Sequence, residues 1–154
     1  MHPLTGLAEE QAMLRYLDAA RQLHGDLQRV LTQVSGYALM LMTSRGPRTL
    51  PDAPILGAGA AAARAAEAAR ALAVPSGAGH HHHHLRAACA AVAHACAAAT
   101  TCAGPVAAER DRDGLVAALQ AAVGHLHAVS RLMPGFEPVN FAQACCAAHA
   151  APAP

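Results

Sequence analysis

Five consecutive histidines at positions 80–84 and the segment Cys145-Cys146-Ala147-Ala148-His149 are the densest sets of chemically capable side chains in this chain. Residues three or four apart on a helix share a face. Cys145 and His149 are four apart and Cys146 and His149 three apart, so one helical turn would let each pair grip one ion. The histidine run offers the same spacing as His80/His84, His80/His83 and His81/His84. Imidazole nitrogen and thiolate sulfur suit borderline and soft transition metals, which points to Zn, Ni or Cu. The candidate ligands are therefore His80, His81, His83, His84, Cys145, Cys146 and His149. At the positive end of a helix the histidines repel that end and one another, which predicts lowered pKa values and neutral nitrogens near pH 7. Against this stand a solvated low-complexity run or a tag-like sequence at 80–84, and two small buried cysteines beside an exposed histidine near the terminus.

The remaining histidines and cysteines read as structural. On a helix over 80–103, Leu85, Cys89, Val92, Cys96, Ala99 and Ala103 recur at spacings of four and three, the apolar seam of a bundle helix. Cys89 and Cys96 then face the core as small hydrophobes. Seven residues apart they are separated by about 10 Å, too far to share an ion whose sulfur bonds are about 2.3 Å. His94 falls on the far side of that helix and is expected at the surface. His24 interrupts the seam Met13, Leu17, Ala20, His24, Leu27, Leu31, Val34, and is expected as a neutral histidine bonded to a neighbouring polar group. His125 and His127 lie about 200° apart in direction and cannot chelate together on an intact helix.

Alanine, the strongest helix former, makes up about a quarter of the 154 residues, only 3% are aromatic and none is tryptophan. A single all-α domain follows, an up-and-down four-helix bundle with a short fifth helix at the C-terminus. Helices are expected over 7–43, 53–73, 80–103, 111–133 and 140–150. Loops are expected near 44–52, 74–79, 104–111 and 134–139, where proline and glycine cluster. Thr5, Asp52, Asp113 and Asn140 are candidate N-caps. Helix one should bend or break at Ser35-Gly36, and an unbroken helix overhanging its partners would favour dimerisation. Helix four takes Val116, Leu119, Val123, Leu126, Ser130 and Met133 as its seam. Phe136 and Phe141 are expected to anchor the tail to the bundle.

A formal charge of +1 with no cluster of Lys or Arg argues against nucleic acid. The N-terminus lacks the pattern of a signal peptide, so a cytoplasmic location is expected and the five cysteines are not read as a disulfide framework. The uncharged span within 87–108 is mainly alanine, so membrane crossing is disfavoured. No catalytic signature is present: there is no phosphate loop, no Gly-x-Ser-x-Gly and no Glu-x-x-His pair. The expectation is a non-enzymatic transition-metal-binding protein serving buffering, delivery or sensing. In the alternative, alanine-rich helix faces serve a homodimer or a protein partner, and the histidines and cysteines are incidental. Topology adds one expectation: the start of helix three and the end of helix four share a pole, where most of the eleven histidines should gather.

Overall fold

Long runs of alanine and leucine, broken only where proline and glycine cluster, give four helices and no strand among the described residues. The computed structural model describes residues 3–43, 53–104 and 106–133, with side chains from residue 6 onward. The helices are α1 (Pro3–Thr43), α2 (Ala53–Ala71), α3 (Gly79–Ala103) and α4 (Glu109–Leu132). The expected fifth helix at 140–150, the Asp52 and Asn140 caps and the Phe136 and Phe141 anchors lie outside the described residues.

Contacts between helix ends establish alternating directions. Tyr16, in the first half of α1, meets His81 at the start of α3. Gln33 donates to the Pro54 carbonyl at 2.9 Å, tying the second half of α1 to the start of α2. Gly59, early in α2, approaches Cys96, late in α3. His84 near the start of α3 meets His125 near the end of α4. The chain therefore runs up, down, up and down.

Helix α3 is central and touches all three others. Its expected seam is buried at Leu85, Cys89, Val92, Cys96 and Ala99, and widens to take in His81, Ala88, Ala95 and Cys102. It is also the one described helix long and apolar enough to cross a bilayer. Its larger apolar side chains, Leu85, Val92 and the three cysteines, belong to the core, while Ala90 and Ala97 are exposed. Helix α2 buries Ile55 with Ala58, Ala62, Ala65 and Ala69, a face of small residues that lets its backbone come close to α3. The bulk of the core comes from Tyr16, Leu27, Ile55, Leu85 and Leu115, all fully buried.

Three local expectations need correction. Helix α1 begins at Pro3, so Thr5 lies inside its first turn instead of capping it. Proline suits that position because its φ is already helical and its missing N–H would have had no partner. Helix α1 also runs on through Ser35 and Gly36, both exposed, so the alternative of a break there is not realised. Helix α4 begins at Glu109, and the cap is supplied by Asp111, whose carboxylate accepts from the Ala108 N–H at 2.7 Å, not by Asp113. The buried stripe of α4 is Leu115, Ala118, Ala122, Leu126, Val129 and Ser130, leaving Val116 and Val123 exposed. Valine is the more apolar choice, but alanine lets α4 sit closer to α3, and the tighter approach decides which face turns inward.

Between α2 and α3, Gly77 adopts φ 88°, a left-handed conformation that only glycine takes at no cost. This tight turn, closed by the Ala78 N–H on the Pro75 carbonyl at 3.1 Å, aims the histidine run into the bundle.

Candidate functional site

The turn at Gly77 makes the histidine run the first two turns of α3 instead of a solvated loop, and helical periodicity then sorts its members. His81 points inward and is 1% exposed. His82 and His84 are half-buried at the margins, and His80 and His83 are exposed. From α1 come Tyr16 and His24, and from α4 come His125 and Ser130. Of the histidines expected at one pole, His80 to His84 and His125 come together there, and His24, which was not expected among them, lies close by. His94 is exposed on α3, and His127 is exposed on α4.

The inner layer of this pole is neutral and hydrogen-bonded. The Tyr16 hydroxyl and His81 Nδ1 lie 2.8 Å apart with edge-on rings. Burial pushes the Tyr16 hydroxyl up to about 12. Burial first, and then the neighbouring His24, His82 and His84, push His81 down to about 4. Both groups are uncharged near neutral pH, and the Tyr16 hydroxyl donates its hydrogen bond to the better acceptor, the imidazole Nδ1. His24 is 5% exposed, with Nε2 at 3.4 Å from the Leu126 carbonyl and 3.3 Å from the Ser130 hydroxyl. A carbonyl only accepts, so Nε2 carries the proton, while the Ser130 hydroxyl donates to that carbonyl at 3.0 Å. Burial lowers the His24 pKa, and the bond to Leu126 partly restores it. His24 is thus the satisfied core histidine that its place in the seam suggested.

The outer layer is different. Nδ1 of His84 lies 3.1 Å from Nδ1 of His125, joining α3 to α4. The rings of His80 and His84, one helical turn apart, have centroids 4.8 Å apart. Desolvation first, and then the imidazoles of His80, His125 and His83, hold His84 below the ordinary histidine value. The fall was expected, but the helix end is not its main cause. His82 is lowered by desolvation and by the Arg86 guanidinium, and Arg86 shares with His82 and His83 a shallow hollow on the far side of the run.

As the side chains stand, no three His, Cys, Asp or Glu residues among the described ones are arranged to hold a metal ion. Of the sequence-derived candidates, His81 is committed to Tyr16, His84 adjoins His125 and has the His80 ring beside it, and His83 faces the Arg86 hollow. Cys145, Cys146 and His149 lie outside the described residues, as does His2. His125 was not singled out as a ligand, because its pairing with His127 fails on a helix. The signal that finds it is topological, since the last third of α4 must pass the first turns of α3. Cys89, Cys96 and Cys102 are buried free thiols whose pKa values burial raises. Arg70 and Arg86 stand near Cys89 and Arg112 near Cys102, but burial outweighs them and leaves all three sulfurs inaccessible, unlike a reactive cysteine. The chain matches no protein-family model, no curated protein and no solved structure.

Proposed function

We propose that this chain is a small non-enzymatic binding protein for a transition metal ion, with Zn, Ni or Cu as the class, acting in buffering, delivery or sensing. The observation that carries this is the approach of two imidazole nitrogens from different helices, His84 and His125, to 3.1 Å at an open edge of the bundle. Neutral imidazole is the donor that suits these ions, and the setting of His84 favours its neutral form. A short helix over 140–150, bringing Cys145, Cys146 and His149 as further donors, belongs to the same proposal. The test is the metal content of untagged protein purified without a metal column, followed by chelator stripping and reloading. Stoichiometric metal that returns after stripping is the expected result, and protein that neither carries nor takes up metal overturns it.

A second proposal rests on a separate observation. Helix α1 exposes Leu7, Leu14, Leu39, Met40 and Met42, and α2 exposes Leu56. Exposed large apolar side chains at both ends of one helix support a metal-free interaction or dimerisation module. Light scattering distinguishes it, since self-association would then proceed in the presence of chelator.

A further inference from the structure

We propose that His80, His84 and His125 form a three-imidazole site for a borderline divalent ion, with Nδ1 of His84 and Nδ1 of His125 bridging α3 and α4. This names the ligands of the metal-binding function proposed above and rests on it.

Geometry carries the inference. Two imidazoles bound tetrahedrally to one ion at about 2.0–2.1 Å place their ligating nitrogens roughly 3.3 Å apart and their ring centroids about 5 Å apart. The His84 and His125 nitrogens are 3.1 Å apart and their centroids 5.4 Å apart. The centroids of His80 and His84 are 4.8 Å apart. The His80 and His84 rings stand near the separation that a shared ion imposes. His84 and His125 instead face each other head-on as a direct hydrogen bond requires, so both rings must turn slightly about their side-chain torsions to converge on an ion. What His80 lacks is orientation, and because it is exposed its ring can turn about the side-chain torsions without disturbing the core. Without an ion, the same two Nδ1 atoms share one proton in an N–H···N hydrogen bond. An ion takes the place of that proton, which moves through solvent to Nε2 of the same ring, so neutral histidines bind without net proton release.

The other histidines of the pole are excluded by their surroundings. His81 and His24 are buried and bonded to Tyr16 and Ser130. His82 and His83 share their hollow with Arg86, whose charge repels a cation. Three neutral ligands leave one tetrahedral position for water or an exchangeable ligand, the arrangement of an open rather than a closed site. That suits an ion that must leave again. Because the ligands come from two helices, the bound ion also clamps the first turns of α3 to the last third of α4.

The experiment is calorimetric titration of metal-stripped, untagged full-length protein with Zn(II), with Ni(II) and Cu(II) in parallel. The variants are His84→Ala, His125→Ala and His80→Ala, the pair His82→Ala/His83→Ala, and the triple Cys145→Ala/Cys146→Ala/His149→Ala. Changes to groups that merely support a ligand cost 10–100-fold in affinity. Loss of His84 or His125 should therefore weaken binding by at least about tenfold, with His80→Ala weakening it in the same direction. The His82/His83 pair should stay within about twofold, and the tail triple, which at most fills the exchangeable fourth position, should weaken binding less than His84→Ala does. Zn(II) should also raise the melting temperature of the parent protein but not of His84→Ala, and far-ultraviolet circular dichroism of each variant separates lost ligation from lost folding. Metal binding by the parent that survives His84→Ala and His125→Ala but vanishes in the tail triple would overturn this site and leave the function standing. No uptake by the parent would overturn both.

Discussion

Tyr16, His24 and His81 make the inner pole sensitive to acid. The unfolded chain takes up a proton on each imidazole near 6.5, whereas folded His81 does so only near 4, and the His24 value is also lowered. Folding and protonation therefore compete between these values. The stabilisation from neutral His81 is complete above about 6.5 and is lost as pH falls towards 4. Between roughly pH 7.5 and 5 this one group should cost about 2 kcal/mol, read by urea unfolding in chelator. Replacing both partners, as Tyr16→Phe with His81→Phe, removes the polar pair together and should flatten the profile; an unchanged slope would move the acid sensitivity elsewhere. The cysteines give a second residue-scale expectation. Cys89 and Cys96 are 2% and 4% exposed, so thiol reagents should label them far more slowly in native than in denatured protein. Serine at either position should lower stability by about 1–2 kcal/mol, and more than alanine does, because its hydroxyl is buried without replacing the sulfur's contacts. Equal labelling rates would contradict the burial. The burial of these thiols was legible from the spacing of four and three along α3. The choice of His81 for the inside was implicit in the same seam, four residues before Leu85, but five identical side chains gave it no mark of its own.

At the scale of elements, helix positions were readable because proline and glycine mark every connection in a chain otherwise made of helix formers. Helix faces were readable only where leucine, valine and cysteine outweigh alanine. The seams of α1 and α3 fit that condition. In α4 alanine occupies two of the six inward positions, so the hydrophobic pattern pointed one residue away, to Val116 and Val123. Ser35-Gly36 shows the converse, a strong local signal overruled by its surroundings. Val34, Tyr37 and Ala38 are buried around it, so packing on both sides holds α1 helical. Gly36 then contributes only the backbone freedom that folding must remove. A methyl group there meets nothing within 4 Å, so Gly36→Ala should raise stability by about 0.5–1 kcal/mol. A destabilised Gly36→Ala would mean that the glycine serves a bend after all.

For the whole molecule, the unbroken α1 has a consequence of length. Its 41 residues extend about 60 Å, while the 19, 25 and 24 residues of α2, α3 and α4 extend about 28, 37 and 36 Å. A bundle cannot cover such a helix from end to end, and the large apolar side chains left exposed on α1 lie towards its two ends: Leu7 and Leu14 in the first turns, Leu39, Met40 and Met42 in the last. Leu56, on the start of α2 that Gln33 draws against α1, adds to the second set. The middle of the same helix carries Asp18, Arg21, Asp26 and Arg29, with Arg29 paired to Asp26 at the surface. Apolar ends and a charged middle disfavour association along the full length of α1, and favour end-on pairing of two copies through one set. Four exposed side chains of this size offer a patch well below the roughly 800 Å² per partner of a stable complex, so the association should be weak, with a dissociation constant on the order of micromolar or above. Light scattering across a concentration series should show the mass rising from 15.7 kDa towards twice that value. Leu39→Glu with Leu56→Glu should restore the monomer without lowering the melting temperature, since neither side chain belongs to the core. The measurement is made with chelator and again with Zn(II), because dimerisation through this end, far from His84 and His125, should be indifferent to metal. A mass fixed at 15.7 kDa at every concentration would remove the dimer, and a dimer that forms only with metal would place the contact at the histidine pole instead.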